Sequence, residues 1–435
     1  MRHDCGRPIR QEEDVRMDEP YPWFLGIDWG YHAHQLTVVD ATGTRHGTRR
    51  VDHDAAAIAD ALAWVLATTQ AGPAQIAVAL ETPRGALVST LLARGFPVYA
   101  LNPKQLDRFR DRFTVAGAKD DRRDSAVLGD SLRTDRGAFH PVRLDAPAIL
   151  ELRELAQLEA DYQRDRSRLT NQLREQVYRL APALLPLCPA ADEPWFWALI
   201  EQAPTPAAQQ RLAPARVRAL LKTHRIRRLD EPQVLTALRA PRLTLAPGVV
   251  EAARAAIELL IPHLRVLAAY ARRCEARQRQ LLATLAEAPA ADAEPREQSD
   301  LAILTSLPGL GRKGIVALLT TAAQPLATRN YARLRALLGT APITKASGKS
   351  RLVLRRLACP PVLREVAYHW GRVSLQRDGP AHAYYQRLRS RGHTHGRALR
   401  TVVDRWLRIL VAMLQQRTLY DPSRFTTVSN AANAD

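Results

Sequence analysis

The chain contains no apolar run of about eighteen residues, the length a helix needs to cross a bilayer, so no membrane partner is expected. Cysteine is scarce too. Cys5, Cys188, Cys274 and Cys359 lie far apart with no C-x-x-C pair, which argues against a zinc ribbon or disulfide framework and fits a reducing cytosol. The polar stretch 1–22 lacks the apolar core of a secretory signal and reads as a disordered leader, with Met17 as an alternative start. Acidic residues are rare in one region above all. From Leu301 to Tyr420 there are 21 Lys and Arg against Glu365, Asp378 and Asp404, a net +18 within a chain whose total is +19. A domain of that charge has a polyanion as its default partner, most commonly nucleic acid.

With 435 residues and 46% hydrophobic content, the chain supports two or three packed domains. Phe24–Gly30, Gln35–Asp40 and Thr44–Val51 read as three antiparallel strands. Ala55–Thr68 has helical spacing, Gln75–Leu80 reads as a buried strand ending on Glu81, and Thr82–Gly85 as a turn. Helix Ala86–Arg94, strand Phe96–Leu101 and a basic helix from Lys104 follow. This order describes an α/β sheet of the ribonuclease-H type, expected over 23–145.

The acids fall at telling places. Asp28 is expected in mid-strand, where a carboxylate is costly unless paired or bound to a metal. Glu81 ends a strand, where ligand sites of α/β sheets collect. In A-K-D-D-R-R-D-S-A (118–126), Asp124 lies one helical turn from both Asp120 and Asp121. Four convergent carboxylates, Asp28, Glu81, Asp121 and Asp124, suit a metal-assisted phosphoryl-transfer site, with Mg²⁺ the natural ion. Each acid also has a plainer reading: Asp28 as a turn cap, Glu81 as a surface acid, 118–126 as a solvated charged turn.

Ala146–Leu180 carries a sparse stripe of Leu152, Leu155, Tyr162, Leu169, Leu173, Val177 and Leu180 in a dense charged background, as in a coiled-coil arm. Val249–Leu285 reads as its antiparallel partner. The insert 182–248 reads as less regular, anchored by Trp195-Phe196-Trp197, and Ala286–Gln298 as a linker, giving a helical middle over 146–299. A basic, mainly helical domain is expected over 300–422, before a disordered tail at 423–435. It opens with L-P-G-L-G (307–311), which resembles a helix-hairpin-helix turn that approaches phosphate. Ser347 lies in a loop among Lys345, Lys349, Arg351, Arg355 and Arg356, where a hydroxyl can ligate or attack phosphate. His393 and His395 read as phosphate contacts or plain surface.

Together these motifs resemble the DEDD-type insertion-sequence transposases, which join a RuvC-like N-terminal domain to a serine-bearing C-terminal domain. The matching stretches are G-I-D-W-G with His34, L-E-T-P-R-G, Y-A-L-N-P-K, A-K-D-D-R-R-D-S-A and L-R-T-D, then L-P-G-L-G, L-L-G-T-A-P-I-T-K-A-S-G-K-S-R and R-R-L-A-C, in family order. The resemblance places the acidic tetrad on Asp28, Glu81, Asp121 and Asp124, choosing Asp121 over Asp120, and the nucleophile on Ser347. Ser125 stands where the family usually has Ala. It implies Mg²⁺, a covalent phosphoserine link to a cleaved DNA strand, a structured guide RNA, and a dimer or tetramer acting at the nucleoid in the cytoplasm. Nucleic-acid contacts are expected at Lys119, Arg122, Arg312, Lys313, Lys345, Lys349, Arg351, Arg355, Arg356, Arg397 and Arg400. The competing readings are a Holliday-junction nuclease using the acids alone, an inactive nucleic-acid-binding relic, and an actin-like kinase. The kinase reading lacks a second glycine-rich phosphate loop and any role for the basic C-terminal part.

Overall fold

A computed structural model describes residues 21–81, 85–101, 106, 109, 121–142, 146–241, 244–246, 248–287, 298–347, 350–376 and 379–422; the side chain of Asp121 is not among the described groups. The expected leader to residue 20, the 82–84 turn, most of the basic helix from Lys104, Lys119, Asp120, the linker core 288–297, Lys349 and the tail from 423 lie outside these residues. The chain divides into two compact units, 1–145 and 146–435.

The first unit is a six-stranded mixed sheet. Strands β1 (Trp23–Asp28), β2 (Ala33–Asp40) and β3 (Arg45–Asp52) form an antiparallel meander. Helix α1 (Ala55–Thr69) then returns the chain so that β4 (Ile76–Leu80) pairs parallel with β1. Helix α2 (Ala86–Ala93) leads to β5 (Val98–Ala100), helix α3 spans Asp121–Thr134, and β6 (His140–Val142) closes the order β3-β2-β1-β4-β5-β6. The central strand β4, I-A-V-A-L, is buried throughout and so is apolar at every position. Alternation sorts the side chains onto two faces. Leu25, Ile27, Leu36, Val78 and Leu80 meet Leu62 and Val65 of α1 and Leu91 of α2. Phe24, Val39, Ala77 and Ala79 meet Val127, Leu128 and Leu132 of α3.

Helix α3 lies unusually close to β1. A Cβ on Gly26 would overlap the Ser125 carbonyl oxygen and stand 2.6 Å from the Gly129 amide nitrogen. The Ser125 hydroxyl adds a buried 2.7 Å hydrogen bond with Thr37 of β2. Ser125 therefore ties the helix to the sheet.

The second unit opens with two long helices, α4 (Pro147–Leu180) and, after the insert, Val249–Glu287. They run antiparallel: Glu151 pairs with Arg277, Glu159 with Gln278, and Tyr162 lies against Tyr270. The insert is more regular than its composition suggested. Helices α5 (Pro194–Gln202), α6 (Pro206–Arg211), α7 (Pro214–Thr223) and α8 (Glu231–Leu238) each have proline at the first or second position, where its missing N–H costs nothing. Prolines that read as irregularity are helix starts. Trp195, Phe196 and Trp197 are all essentially buried in this subunit's core. Numbering Val249–Glu287 as α9, the C-terminal part continues with α10 (Asp300–Ser306), α11 (Arg312–Thr321), α12 (Ala323–Ala327) and α13 (Tyr331–Leu337). The hairpin β7 (Ile343–Ser347) and β8 (Ser350–Leu354) follows, then α14 (Pro361–Ser374), α15 (Pro380–Ser390) and α16 (His395–Gln416). Stacked Trp370 and Trp406 lie in its core. Among the described residues no helix is long and apolar enough to cross a membrane.

Arg312 and Lys313 open α11, and both reach Glu159 of α4. The Arg312 guanidinium, mostly buried, makes paired hydrogen bonds of 3.0 and 3.1 Å to Glu159 of α4 and also meets Gln278 and Glu275 of α9. Lys313 lies 3.1 Å from the same carboxylate, although most of its side chain is exposed. A buried carboxylate needs such partners. Arg312 is therefore a strut between the long helices and α11.

Two outcomes follow from these contacts. Gly26→Ala should lower unfolding free energy by about 3 kcal/mol, whereas Gly137→Ala, with open space at its Cβ, should stay within about 0.5 kcal/mol. Denaturant unfolding followed by circular dichroism reads both. For Glu159, burial favours the neutral acid, but hydrogen bonds from Arg312 and Lys313 outweigh it and hold the carboxyl below its ordinary value. A depressed folded value means this contribution is present above the unfolded value of about 4.3 and fades as pH falls through the folded one. Arg312→Met should cost about 3 kcal/mol at neutral pH and shrink that acid limb, and Arg312→Met with Glu159→Leu should recover most of the loss. Urea midpoints across pH 3 to 7 test this.

Candidate active site and nucleic-acid surface

Register explains how separated acids meet in the first unit. Ile27 of β1 pairs with Leu80 of β4, so Asp28 and Glu81 occupy neighbouring strand ends. Asp28 is the last residue of β1 and half-exposed, not in mid-strand as expected, so the argument from burying a mid-strand charge does not apply to it. Counting alternately from Phe24 and Ala77, Asp28 and Glu81 fall on the face that receives α3. Asp124, on that helix, is 2% exposed. The three carboxylates line one cavity of about 390 Å³, together with Trp29, Gly30, His32, His34, Gln35 and Arg50. Asp121 begins the same helix one turn before Asp124. The close approach of Gly26 to α3 is what brings Asp124 to this edge of the sheet.

These donors are of the type a divalent cation takes, although among the described residues their ligand atoms do not all lie within 4.8 Å of one another. Hard carboxylate oxygens from three elements suit Mg²⁺ or Mn²⁺, and a buried acid beside two others favours added positive charge. Arg50 lines the same cavity. His34 is buried and bonds through Nε2 to Nδ1 of His53 at 2.7 Å, and burial followed by the neighbouring His53 holds it below its ordinary value. The pairing partner His53 had no sequence signal. A different cluster, Cys188, Asp192 and Glu193, brings its ligand atoms within 4.8 Å of one another. There Arg228 and the Trp195 indole N–H already hold the Glu193 carboxylate at 2.6 and 2.9 Å, and burial pushes the Cys188 thiol up. That cluster sits at the start of α5 and offers a metal little.

In the second unit Ser347 is the last residue of β7, at the tip of an exposed hairpin rather than in an irregular loop. It pairs with Ser350, and Lys345 pairs with Leu352, so these four share one face. Arg351 pairs with Ala346 on the other. Lys345, Arg351 and Arg355 are exposed. Half-buried Arg400 is held below its ordinary value by burial and by Arg355 and Arg397 nearby. The buried Nε of Arg356 has no hydrogen-bond partner among the described residues. His393 is lowered by burial and by Arg397 and Arg391. Like charges thus gather where an anion is the natural counter-group. Asp404, one of the region's three acids, is taken by Arg335 at 2.6 Å and by Tyr331. In the first unit Arg122 is exposed on α3.

Sequence reasoning also missed Glu159. It stands four residues after Leu155 and three before Tyr162, on the apolar stripe itself, and an acid in that position was a readable signal.

The sequence is similar to known proteins. Residues 25–182 match the DEDD transposases of IS110 type, and residues 301–386 match the family described as transposase IS116/IS110/IS902. The chain is 31% identical over 406 residues to a Streptomyces coelicolor protein assigned as the mini-circle transposase for IS117, covering 92% of this chain and 96% of that one. It is 44% identical over 210 residues to y4uE of Sinorhizobium fredii, assigned as a transposase, covering 48% of this chain and 58% of the relative. The insertion element IS116 44.8 kDa protein of Streptomyces clavuligerus is 25% identical over 404 residues, spanning 92% of this chain and 96% of its own. The chain belongs to the IS110/IS116/IS902 family of transposases.

Proposed function

We propose that this protein is an insertion-sequence transposase that cuts and rejoins DNA strands through Ser347, assisted by a divalent cation, Mg²⁺, held by Asp28, Glu81, Asp121 and Asp124. The observation that carries this is the gathering of Asp28, Glu81 and Asp124 on one cavity from three separate elements. The strand order β3-β2-β1-β4-β5 with α3 across its face supports a RuvC-like, ribonuclease-H reading of 23–145.

The chemistry assigned to the chain is a transfer between esters. Ser347 Oγ attacks the phosphorus of a DNA phosphodiester, the new Oγ–P bond forms, and the P–O bond to the departing strand breaks. The serine proton passes to solvent or a base, and the departing oxygen takes up a proton as a hydroxyl. Attack by another strand's hydroxyl reverses the step and frees the serine, so one phosphodiester replaces another without external energy. A cation at the carboxylates supplies Lewis-acid stabilisation of phosphoryl oxygens. The exposed hairpin lets Ser347 reach a duplex backbone, and Lys345, Arg351, Arg355, Arg356, Arg397 and Arg400 neutralise flanking phosphates, with Lys119, Arg122 and Lys349 in the same role. Lys313, whose amine is largely exposed beside Glu159, is a weaker contact. Reading of target sequence is assigned to a structured guide RNA, with the protein acting in the cytoplasm as a dimer or tetramer that holds two DNAs.

Incubation with duplex DNA carrying the element's ends should give a protein–DNA adduct that survives denaturing electrophoresis. Ser347→Ala should abolish it, by about 10³-fold or more, while binding persists. Cleavage without any adduct in the unaltered protein would favour a junction nuclease instead. Asp28→Asn and Asp121→Asn should each remove Mg²⁺-dependent cleavage, and activity in either that still titrates normally with Mg²⁺ would overturn the metal assignment. Arg397→Gln should flatten the salt dependence of DNA binding by about one unit of log–log slope, measured by fluorescence anisotropy.

A further inference from the structure

The connection from β1 to β2, Trp29-Gly30-Tyr31-His32, carries two aromatic side chains: Trp29 lines the carboxylate cavity, and Tyr31 follows two residues later between the lining residues Gly30 and His32. Tyr31 is 77% exposed, more than any other large apolar or aromatic side chain among the described residues, and Trp29 is 42% exposed while also lining the cavity. Exposed aromatics on a floppy loop would mean little. This connection is braced. The His53 N–H donates to the His32 carbonyl at 2.9 Å, and a Cβ on Gly30 would overlap the Ala33 carbonyl, so the turn is tight. The Trp29 ring lies 6.2 Å from the buried His34, itself bonded to His53, and Tyr31 stands edge-on to His32 at 4.9 Å. Both rings are held by neighbours while much of their surface stays open to solvent.

We propose that Trp29 and Tyr31 form a stacking shelf for one unpaired nucleobase next to the phosphate presented to Asp28, Glu81 and Asp124. It rests on the reading of DNA as substrate. A base is the right occupant because it joins a flat π-face to a phosphate within one nucleotide. Trp29 directly follows Asp28, so the two groups would be met together. The surroundings, Asp28, His32, Arg50 and Glu81, are polar and charged. Two aromatic rings in such a setting fall far short of the surface a stable protein interface buries. In a duplex both faces of a base are covered by its neighbours, so the shelf selects a base that has left the stack. Stacking of this kind contributes about 1–3 kcal/mol per base and tolerates any base identity. The shelf therefore senses whether a strand is opened, not which sequence it carries.

The test uses the full chain and two probes of equal length: a paired duplex, and one with a three-nucleotide single-stranded gap carrying 2-aminopurine. The unaltered protein should bind the gapped probe about tenfold more tightly and quench its fluorescence. Tyr31→Ala and Trp29→Ala should bring affinity for the gapped probe down toward that for the paired one, and lose the quenching. Tyr31→Phe should keep both effects, and Tyr31→Leu should lose them, since leucine is apolar but has no ring. Equal binding of the two probes by the unaltered protein would overturn the proposal. So would Tyr31→Leu behaving like Tyr31→Phe, which would signify a generic apolar contact. A change in sedimentation with no change in probe preference would assign the rings to an interface between copies and overturn it too. Failure of the serine reading shows as a missing covalent adduct, failure of the shelf as missing gap preference, so the two are read separately.

Discussion

The close approach of β1 and α3 at Gly26 and Gly129 is the constraint on which the carboxylate cavity depends. Two elements cannot lie this near while a side chain stands between them, and at Gly26 even a methyl group has no room. The contact fixes how far along β1 the helix sits. From that position Asp124 faces the strand ends that carry Asp28 and Glu81. The Ser125–Thr37 hydrogen bond holds the same helix against β2, so a residue beside the carboxylates contributes by fastening their support. Packing of the ordinary kind, Val127 and Leu128 onto Ala77 and Ala79, then follows, with small residues on β4 because the helix is already near.

Charge in the second unit divides into two populations with different work. Arg312, Arg335 and Arg329 are tied to Glu159, Asp404 and Asp300 and brace helices against one another. Arg355, Arg397 and Arg400 instead crowd together, and burial with mutual repulsion lowers the Arg400 value. Composition counts both populations alike. Only the second gains when a polyanion arrives, because the first has already exchanged water for a carboxylate. A basic chain is thus a poor guide to which arginines touch nucleic acid.

Exposure divides the aliphatic and aromatic residues in a similar way. Trp195, Phe196, Trp197, Trp370 and Trp406 are interior and anchor cores. Trp29 at the cavity, Tyr31 in the same connection, and Leu352 and Val353 on the serine hairpin are left to solvent. A two-stranded hairpin bare on both faces is marginal in water and gains most from a bound partner. The open rings and the open hairpin are apolar surface that the protein's own core leaves uncovered.

Much was legible in the amino-acid order. Apolar alternation and runs located β1 to β5 to within a residue or two, and the long stripes located α4 and α9. The types of Asp28, Glu81, Asp124 and Ser347, with their order along the chain, pointed to phosphoryl-transfer chemistry and to the family. Other features arise only from contacts between distant segments. Register across β1 and β4 put Asp28 at a strand end beside Glu81, and pairing with Ser350 turned the Ser347 loop into a hairpin tip. The proline-rich insert folded as helices because proline suits a helix start as well as a turn, a choice that packing around Trp195 to Trp197 resolves. Arg312 became a strut because Glu159, 153 residues earlier, lies within reach. Local pattern determines which side of an element is apolar and which residue types are on hand, since those depend on neighbours a few positions away. Which charges are neutralised, and which carboxylates meet, was decided only by the tertiary structure, because pairing energies depend on through-space distance and burial, which no local stretch of sequence contains.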